Sequence, residues 1–151
     1  MRRKDKEITA RNEIELIIEK STVCRLAMAD DSGPYIVPLC FGFRNNTLYF
    51  HSAADGKKLG ILKKNPRVCF EFDGDCEVRA GVKACDFGMR YRSVIGFGTV
   101  AFVEAAAAKR EALDIIMKHY AKGAFDYSDA SVNRISVFRV DIDAMTGKTS
   151  T

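Results

Sequence analysis

Apolar positions change their spacing along the chain, and the change predicts where helices give way to strands. The i, i+3, i+4 spacing of an amphipathic helix occurs three times. It predicts a helix that Thr9 caps and that ends near residue 20, a short helix over 56–64 that Asp55 caps, and a third over about 106–122. Helices are therefore expected near the start, in the middle and towards the end of the chain.

Shorter apolar runs between these helices predict about six strands. The predicted strands are 23–28, 35–43, 47–52, 67–72, 89–103 and 135–142. Pro38 lies inside the second strand and has no N–H for a sheet ladder, so one side of that strand is expected to lack a partner. A polar loop is predicted over 73–88, and Gly96 and Gly98 indicate a bend within the fifth strand.

The order of these elements predicts a mainly β fold. Short turns such as Arg44-Asn45-Asn46 favour antiparallel pairing, because parallel strands need long crossovers. An antiparallel β-barrel, closed or partly split, with peripheral α-helices is the simplest arrangement, and a two-layer α+β sandwich is the alternative. The length of 151 residues suits a single domain over 1–151, and no linker-like stretch or repeat interrupts it.

Composition narrows the classes of function. The chain is 47% hydrophobic and 29% charged, no apolar run approaches the roughly 20 residues of a membrane span, and no secretory signal is evident, so a cytoplasmic protein is expected. A net charge of +4 favours a small anionic ligand and falls short of a nucleic-acid-binding signature. Five cysteines without a CxxC pair and only two histidines indicate neither a disulfide framework nor a metal site.

The stretch 49–58 is the most informative for chemistry. A predicted strand ends in His51 and Ser52, and the next helix begins with Lys57 and Lys58, whose charge opposes the helix dipole. A bound phosphate would relieve that conflict, although both lysines could equally be solvated surface residues. His51 could contact a ligand, donate a proton or ligate a metal, or be an ordinary strand-end histidine. Cys40 is a possible neighbour of His51, but no third orienting group supports a Cys–His nucleophile.

Arg92 and Ser93 open the long fifth strand beside its predicted bend. They could bind a phosphate or ribityl hydroxyl groups, or simply form an exposed strand start. Two glycine patterns are discarded. Gly96-Phe97-Gly98 lacks the third glycine and the helix of a dinucleotide fingerprint, and the tail from Gly147 lacks the rest of a P-loop.

A series of five motifs resembles the 5-nitroimidazole-resistance (Nim) proteins of the pyridoxamine 5′-phosphate oxidase-like, FMN-binding split-barrel superfamily. The resemblance runs from about residue 2 to 148. The motifs are Pro34-Tyr35-Ile36-Val37-Pro38-Leu39, Leu48-Tyr49-Phe50-His51-Ser52-Ala53 with Gly56-Lys57-Lys58, Asn65-Pro66-Arg67-Val68, Tyr91-Arg92-Ser93-Val94-Ile95-Gly96-Phe97-Gly98 and Met145-Thr146-Gly147-Lys148.

The resemblance implies a split β-barrel homodimer with two FMN sites at the subunit interface. Val37, Pro38 and Leu39 would then offer backbone groups along the isoalloxazine edge. The other implied contacts are with the phosphate and ribityl chain, and their residues are Phe50, His51, Ser52, Lys57, Lys58, Arg92 and Ser93. His51 would also be catalytic, close to where a substrate meets the flavin. Relatives that bind haem or a deazaflavin keep those cofactors open as alternatives.

These features predict an FMN-binding oxidoreductase that resembles a nitroimidazole reductase and passes electrons from reduced flavin to a nitro-type or other small acceptor. Vitamin B6 oxidation is not expected, because the substrate-phosphate residues of the pyridoxal-specific oxidases have no counterpart here. A non-catalytic flavin or haem carrier of the same fold is the alternative. A small basic nucleic-acid-binding barrel is a weaker one, since basic and aromatic residues interleave in two strands.

Overall fold

A computed structural model describes residues 3–150 of the chain. It contains eight β-strands. They are β1 (Glu7–Ile8), β2 (Cys24–Asp30), β3 (Gly33–Leu39), β4 (Gly42–Arg44), β5 (Thr47–Ala53), β6 (Arg67–Arg79), β7 (Gly88–Val103) and β8 (Ile135–Ser150). Four α-helices accompany them, α1 (Arg11–Lys20), α2 (Lys57–Lys64), α3 (Ala106–Tyr120) and α4 (Asp129–Asn133), with 3-10 turns at Lys4–Lys6 and Ala84–Asp86.

The strands form one antiparallel sheet in the order β3-β2-β6-β7-β8-β5-β4, and β1 pairs with the end of β8. Among residues 3–150 the sheet does not close by hydrogen bonds, so β3 and β4 form its two edges there. Only two residues, Cys40 and Phe41, separate these edge strands along the chain. The predicted mainly β, split-barrel architecture with peripheral helices is therefore confirmed.

Pro38 lies in an edge strand, as its missing N–H required. It pairs with Arg25 of β2, and the opposite side of β3 has no strand partner among residues 3–150. The turn after β4 also matches its prediction, because Asn45 and Asn46 take positive φ angles of 50° and 61°, which suit a tight hairpin.

The buried side chains fall into two groups. The larger group joins inward residues of the sheet to the apolar faces of α1 and α2, and its largest fully buried members include Phe41, Phe50, Phe70, Phe72 and Phe138. The smaller group includes Ile115 and Ile116 of α3. A Cβ atom on Gly42 of β4 would lie 2.7 Å from the backbone of these two residues, so α3 packs directly on β4. None of the helices within residues 3–150 has the length and apolar character to cross a membrane.

Several predicted boundaries were wrong, and the sheet explains most of them. The predicted strand over 35–43 divides into β3 and β4 at a corner. The predicted loop over 73–88 shrinks to 80–87, because β6 continues to Arg79 in pairing with β7. The last strand continues past Ile142 to Ser150, since its whole tail pairs with β7.

Both predicted helix caps were also wrong. The residue at the N-cap is Ala10 in α1 and Gly56 in α2, and neither end has a side-chain cap. Gly56 has a φ of 130°, a conformation that L side chains rarely adopt, so glycine suits this N-cap position.

Candidate functional site

The free edge of β3 carries the first group of predicted site residues. Val37 and Leu39 are half-buried and pack against the core, whereas Pro38 is exposed on the other face of the strand. Since one side of β3 has no neighbouring strand within the described residues, its main-chain polar groups are open to a ligand.

The three predicted site residues at the end of β5 alternate between the two faces of the strand. Phe50 points inward, is fully buried and stacks on Phe138 at a ring-centroid distance of 5.3 Å. Its side chain therefore lies in the core, and its contact with the phosphate and ribityl chain stays a prediction. Ser52 is also buried, and its hydroxyl donates to the carbonyl oxygen of Ala53 at 2.9 Å. His51 lies on the opposite, exposed face.

The electrostatic environment of His51 favours a neutral ring. Solvent reaches the imidazole, but the surrounding protein lowers its pKa below the ordinary 6.5 by desolvation, and the positive charge of Lys58 lowers that pKa further. A neutral imidazole presents one N–H donor and one acceptor nitrogen. His51 can therefore both hold a polar ligand and exchange a proton with it.

Helix α2 begins without the usual compensation at its N-terminus. Its first turn contains no acidic residue and no side-chain cap, and Lys57 is its first residue. The first N–H groups of the helix and the two lysine charges therefore collect positive potential at one point. Lys57 is exposed and its ammonium lies 4.6 Å from the ring centroid of Tyr35 in β3, whereas Lys58 is half-buried.

The β3 edge, the end of β5 and the start of α2 therefore lie near one another, and this region is called the opening. The contact between Lys57 and Tyr35 connects α2 to β3, and the effect of Lys58 on the pKa of His51 connects α2 to β5. Cys40 lies exposed at the corner between β3 and β4, outside the β4–β5 ladder.

Arg92 and Ser93 are not level with His51 within one chain, although pairing through β2 and β6 makes Pro38 level with Ile95, two residues after Ser93. His51 is level with Val137 of β8, and Val137 is level with Val103 of β7. Ser93 lies ten residues before Val103, which is roughly 33 Å along a strand. Arg92 instead lines a separate cleft of about 330 Å³, together with Asp75, Arg90, Tyr91 and Thr149.

Sequence reasoning missed two tyrosines that shape the opening. Tyr35 carries the contact with Lys57, and its only sequence signal is that it shares a strand face with Val37 and Leu39. Tyr120 was predicted only as a core position of α3. Its hydroxyl accepts from the N–H of Phe41 and donates to the carbonyl of Thr22, each at 2.9 Å, which holds the corner after β3 in place. Desolvation raises the pKa of Tyr120 to about 12.

The antiparallel sheet with its peripheral helices is that of a split barrel, and comparison with known proteins agrees with this fold. Residues 10–149 match the family model described as pyridoxamine 5′-phosphate oxidase. The chain therefore belongs to the pyridoxamine 5′-phosphate oxidase family.

The solved structures that resemble the chain include nitroimidazole-resistance and flavin- or haem-binding proteins. A candidate 5-nitroimidazole antibiotic resistance protein from Bacteroides thetaiotaomicron is 40% identical, with a TM-score of 0.86 over 95% of this chain and 86% of that chain. The FAD and haem binding protein from Mycobacterium smegmatis has a TM-score of 0.87 at 21% identity, over 96% of this chain and 73% of that one. A flavocytochrome from Azotobacter vinelandii has a TM-score of 0.88 at 16% identity, over 100% and 72%. The last two similarities show the shared fold alone.

Among curated proteins, an uncharacterized protein of Rhizobium meliloti (strain 1021) is 31% identical over 64 residues. The match spans 42% of this chain and 42% of that protein, so less than half of the relative is covered. No group of three or more His, Cys, Asp or Glu side chains in residues 3–150 is placed to hold a metal ion.

Proposed function

We propose that the chain is an FMN-binding oxidoreductase related to nitroimidazole reductases, which passes electrons from reduced flavin to a nitro group or another small acceptor. The observation that carries the proposal is the meeting of the β3 edge, His51 and the start of α2 at one opening. The 40% identity to the Bacteroides resistance protein supports a nitro-type acceptor.

The residues of this opening suit the chemical parts of FMN. A flat ring system can lie along the unpaired edge at Val37, Pro38 and Leu39 and bond to main-chain groups. A phosphate dianion suits an uncapped helix start with two lysines and no acidic residue in its first turn. Lys57 and Lys58 are the proposed phosphate cations. When bound, FMN supplies the redox chemistry, and the protein supplies binding and orientation.

His51 is the proposed catalytic residue. Its lowered pKa keeps the ring neutral near pH 7, so its N–H can donate a hydrogen bond to an oxygen of the acceptor. Once protonated, a group with a lowered pKa releases its proton more readily, which suits a donor to a developing negative charge. Phe50 and Ser52 support this role indirectly, because their buried side chains fix the strand that carries His51.

We also propose a homodimer in which a second copy completes each site. Arg92 and Ser93 are not level with His51 in their own chain, and in this proposal the second copy supplies them to the site. An apolar row crosses the outer face of the sheet, where cross-strand pairing aligns Ile36, Ala27, Cys69, Phe97 and Ala144. Ile36 and Phe97 are 59% and 52% exposed, and such an uncovered face favours association.

The test of the proposed function is the absorption spectrum of the purified protein, followed by mass spectrometry of the released cofactor. We expect the two visible bands of a flavin and the mass of FMN. The protein is then reduced chemically and mixed anaerobically with a 5-nitroimidazole. The absorbance of the nitro group should fall faster than it does with reduced free FMN at the same concentration. A colourless protein that FMN cannot reconstitute would remove the proposal.

A flavin or haem carrier without turnover is the second candidate. The solvent-open, neutral imidazole of His51 favours it, because a neutral histidine is a common axial ligand of haem iron. An intense haem band in place of the flavin bands, or bound FMN without nitro reduction, would support the carrier. A cytoplasmic location stays a prediction from the sequence.

A further inference from the structure

Tyr35 makes the contact that joins the two halves of the proposed site. It lies in β3, two residues before Val37, and its ring is half-buried and packs against the core. Its cross-strand partner Met28 is 3% exposed, so the ring rests on a fixed surface. The ammonium of Lys57 lies over the face of this ring, 4.6 Å from its centroid.

This geometry limits where the Lys57 ammonium can go. A cation within about 6 Å of an aromatic ring centroid is attracted by the negative face of the ring. Lysine otherwise has a long flexible side chain with many rotamers, and an exposed one samples most of them. Attraction to a ring that the core holds still therefore keeps the ammonium near the start of α2, between the helix and the β3 edge.

We propose that Tyr35 is a positioning residue that holds Lys57 ready for the phosphate of the cofactor. This inference rests on the proposed function, because it assigns Tyr35 a role in the same FMN site. Tyr35 acts through Lys57, and its influence is specific to the phosphate end. It does not extend to Lys58, which is half-buried and whose charge acts on His51 instead.

The phosphate offers a direct test, since riboflavin has the same ring and ribityl chain without it. Affinities of the whole chain for FMN and for riboflavin are measured by fluorescence titration, for the wild type and for Tyr35→Leu, Tyr35→Phe and Lys57→Met. We expect Tyr35→Leu to weaken FMN about two- to fivefold, the range of an exposed cation–π contact, and to leave riboflavin unchanged. Tyr35→Phe keeps the aromatic ring and should bind FMN with wild-type affinity.

Double variants separate positioning from a general packing effect. Tyr35→Leu should have no further effect on FMN affinity once Lys57 is methionine, whereas its effect should add to that of Lys58→Met. Equal losses for FMN and riboflavin, or additivity with Lys57→Met, would overturn the role of Tyr35. Wild-type protein that binds neither flavin would instead refute the proposed function, and with it this inference. Tighter binding of FMN than of riboflavin could be lost in Lys57→Met but kept at the wild-type level in Tyr35→Leu. That result would refute the role of Tyr35 and leave the proposed function standing.

Discussion

Gly96 lies in β7 opposite Phe70 of β6, and the Phe70 ring covers it. A Cβ atom at position 96 would lie 2.1 Å from Cζ of Phe70 and 2.6 and 2.7 Å from its two Cε atoms. Phe70 is fully buried and packs edge-on against Phe72 at a centroid distance of 5.9 Å. Its ring cannot move aside without moving other core side chains, so Gly96→Ala is expected to destabilise the fold.

The magnitude follows from two opposing effects of the added methyl group. Forcing an extra carbon into a packed core costs about 1–3 kcal/mol of unfolding free energy. Alanine also restricts the unfolded chain more than glycine does, which returns about 0.4–1 kcal/mol. With the middle of each range, the net loss is about 1.3 kcal/mol. For a chain of this size it lowers the midpoint of thermal unfolding by about 3–5 °C.

Gly60→Ala is the matched control. Gly60 lies exposed in α2, and a Cβ atom there meets nothing within 4 Å. Alanine should stabilise that helix by up to about 1 kcal/mol. Thermal and urea unfolding of both variants are followed by circular dichroism, with any bound cofactor removed or saturating in every sample, because ligand binding shifts the midpoint. A Gly96→Ala midpoint at or above that of the wild type would refute the packing argument.

Three further predictions concern the proposed site and its assembly. Replacing both Lys57 and Lys58 with alanine should weaken FMN binding by about 2–3 kcal/mol, because charged hydrogen bonds to the phosphate are lost. Titration measures this loss, and unchanged affinity would mean that the phosphate binds elsewhere. The pKa of His51 is lower in the folded protein than the ordinary 6.5, so the unfolded chain takes up the proton first as the pH falls. His51 therefore lowers the unfolding free energy below about pH 6.5. In His51→Gln the unfolding free energy should fall less between about pH 7 and pH 5. An unchanged pH profile would contradict this effect of His51. Phe97→Asp on the outer face should shift the mass in sedimentation from a dimer to the 16.8 kDa monomer, and a dimer that persists would exclude that face as the interface.

Local patterns predicted the elements of this fold better than their ends. The alternation that indicated the last strand stops near Ile142, yet β8 continues to Ser150 because β7 offers ladder partners for the whole tail. The same pairing extends β6 into the predicted loop. Pro38 could be assigned to an edge correctly, because a missing N–H is a property of the residue itself and holds in any fold.

In the candidate site, too, local patterns predicted some features and long-range contacts decided the others. The type and order of residues over 49–58 were enough to predict a helix that begins with two lysines after a strand-end histidine. The burial of Phe50 followed from strand alternation combined with which face the sheet closes over, and the second factor is not local. The contact between Lys57 and Tyr35 joins residues 22 positions apart, so no short-range pattern could reveal it.

By itself, the sequence determined what depends on neighbouring residues and on motif order: the strand and helix types, the edge position of Pro38, the lysine-led helix and the family. Only the tertiary structure decided which of those features meet. Strand register leaves Arg92 about ten residues from the level of His51, while the two-residue corner after β3 brings that edge to the end of β5. Register and curvature depend on pairing between distant segments, and that pairing is a property of the whole sheet.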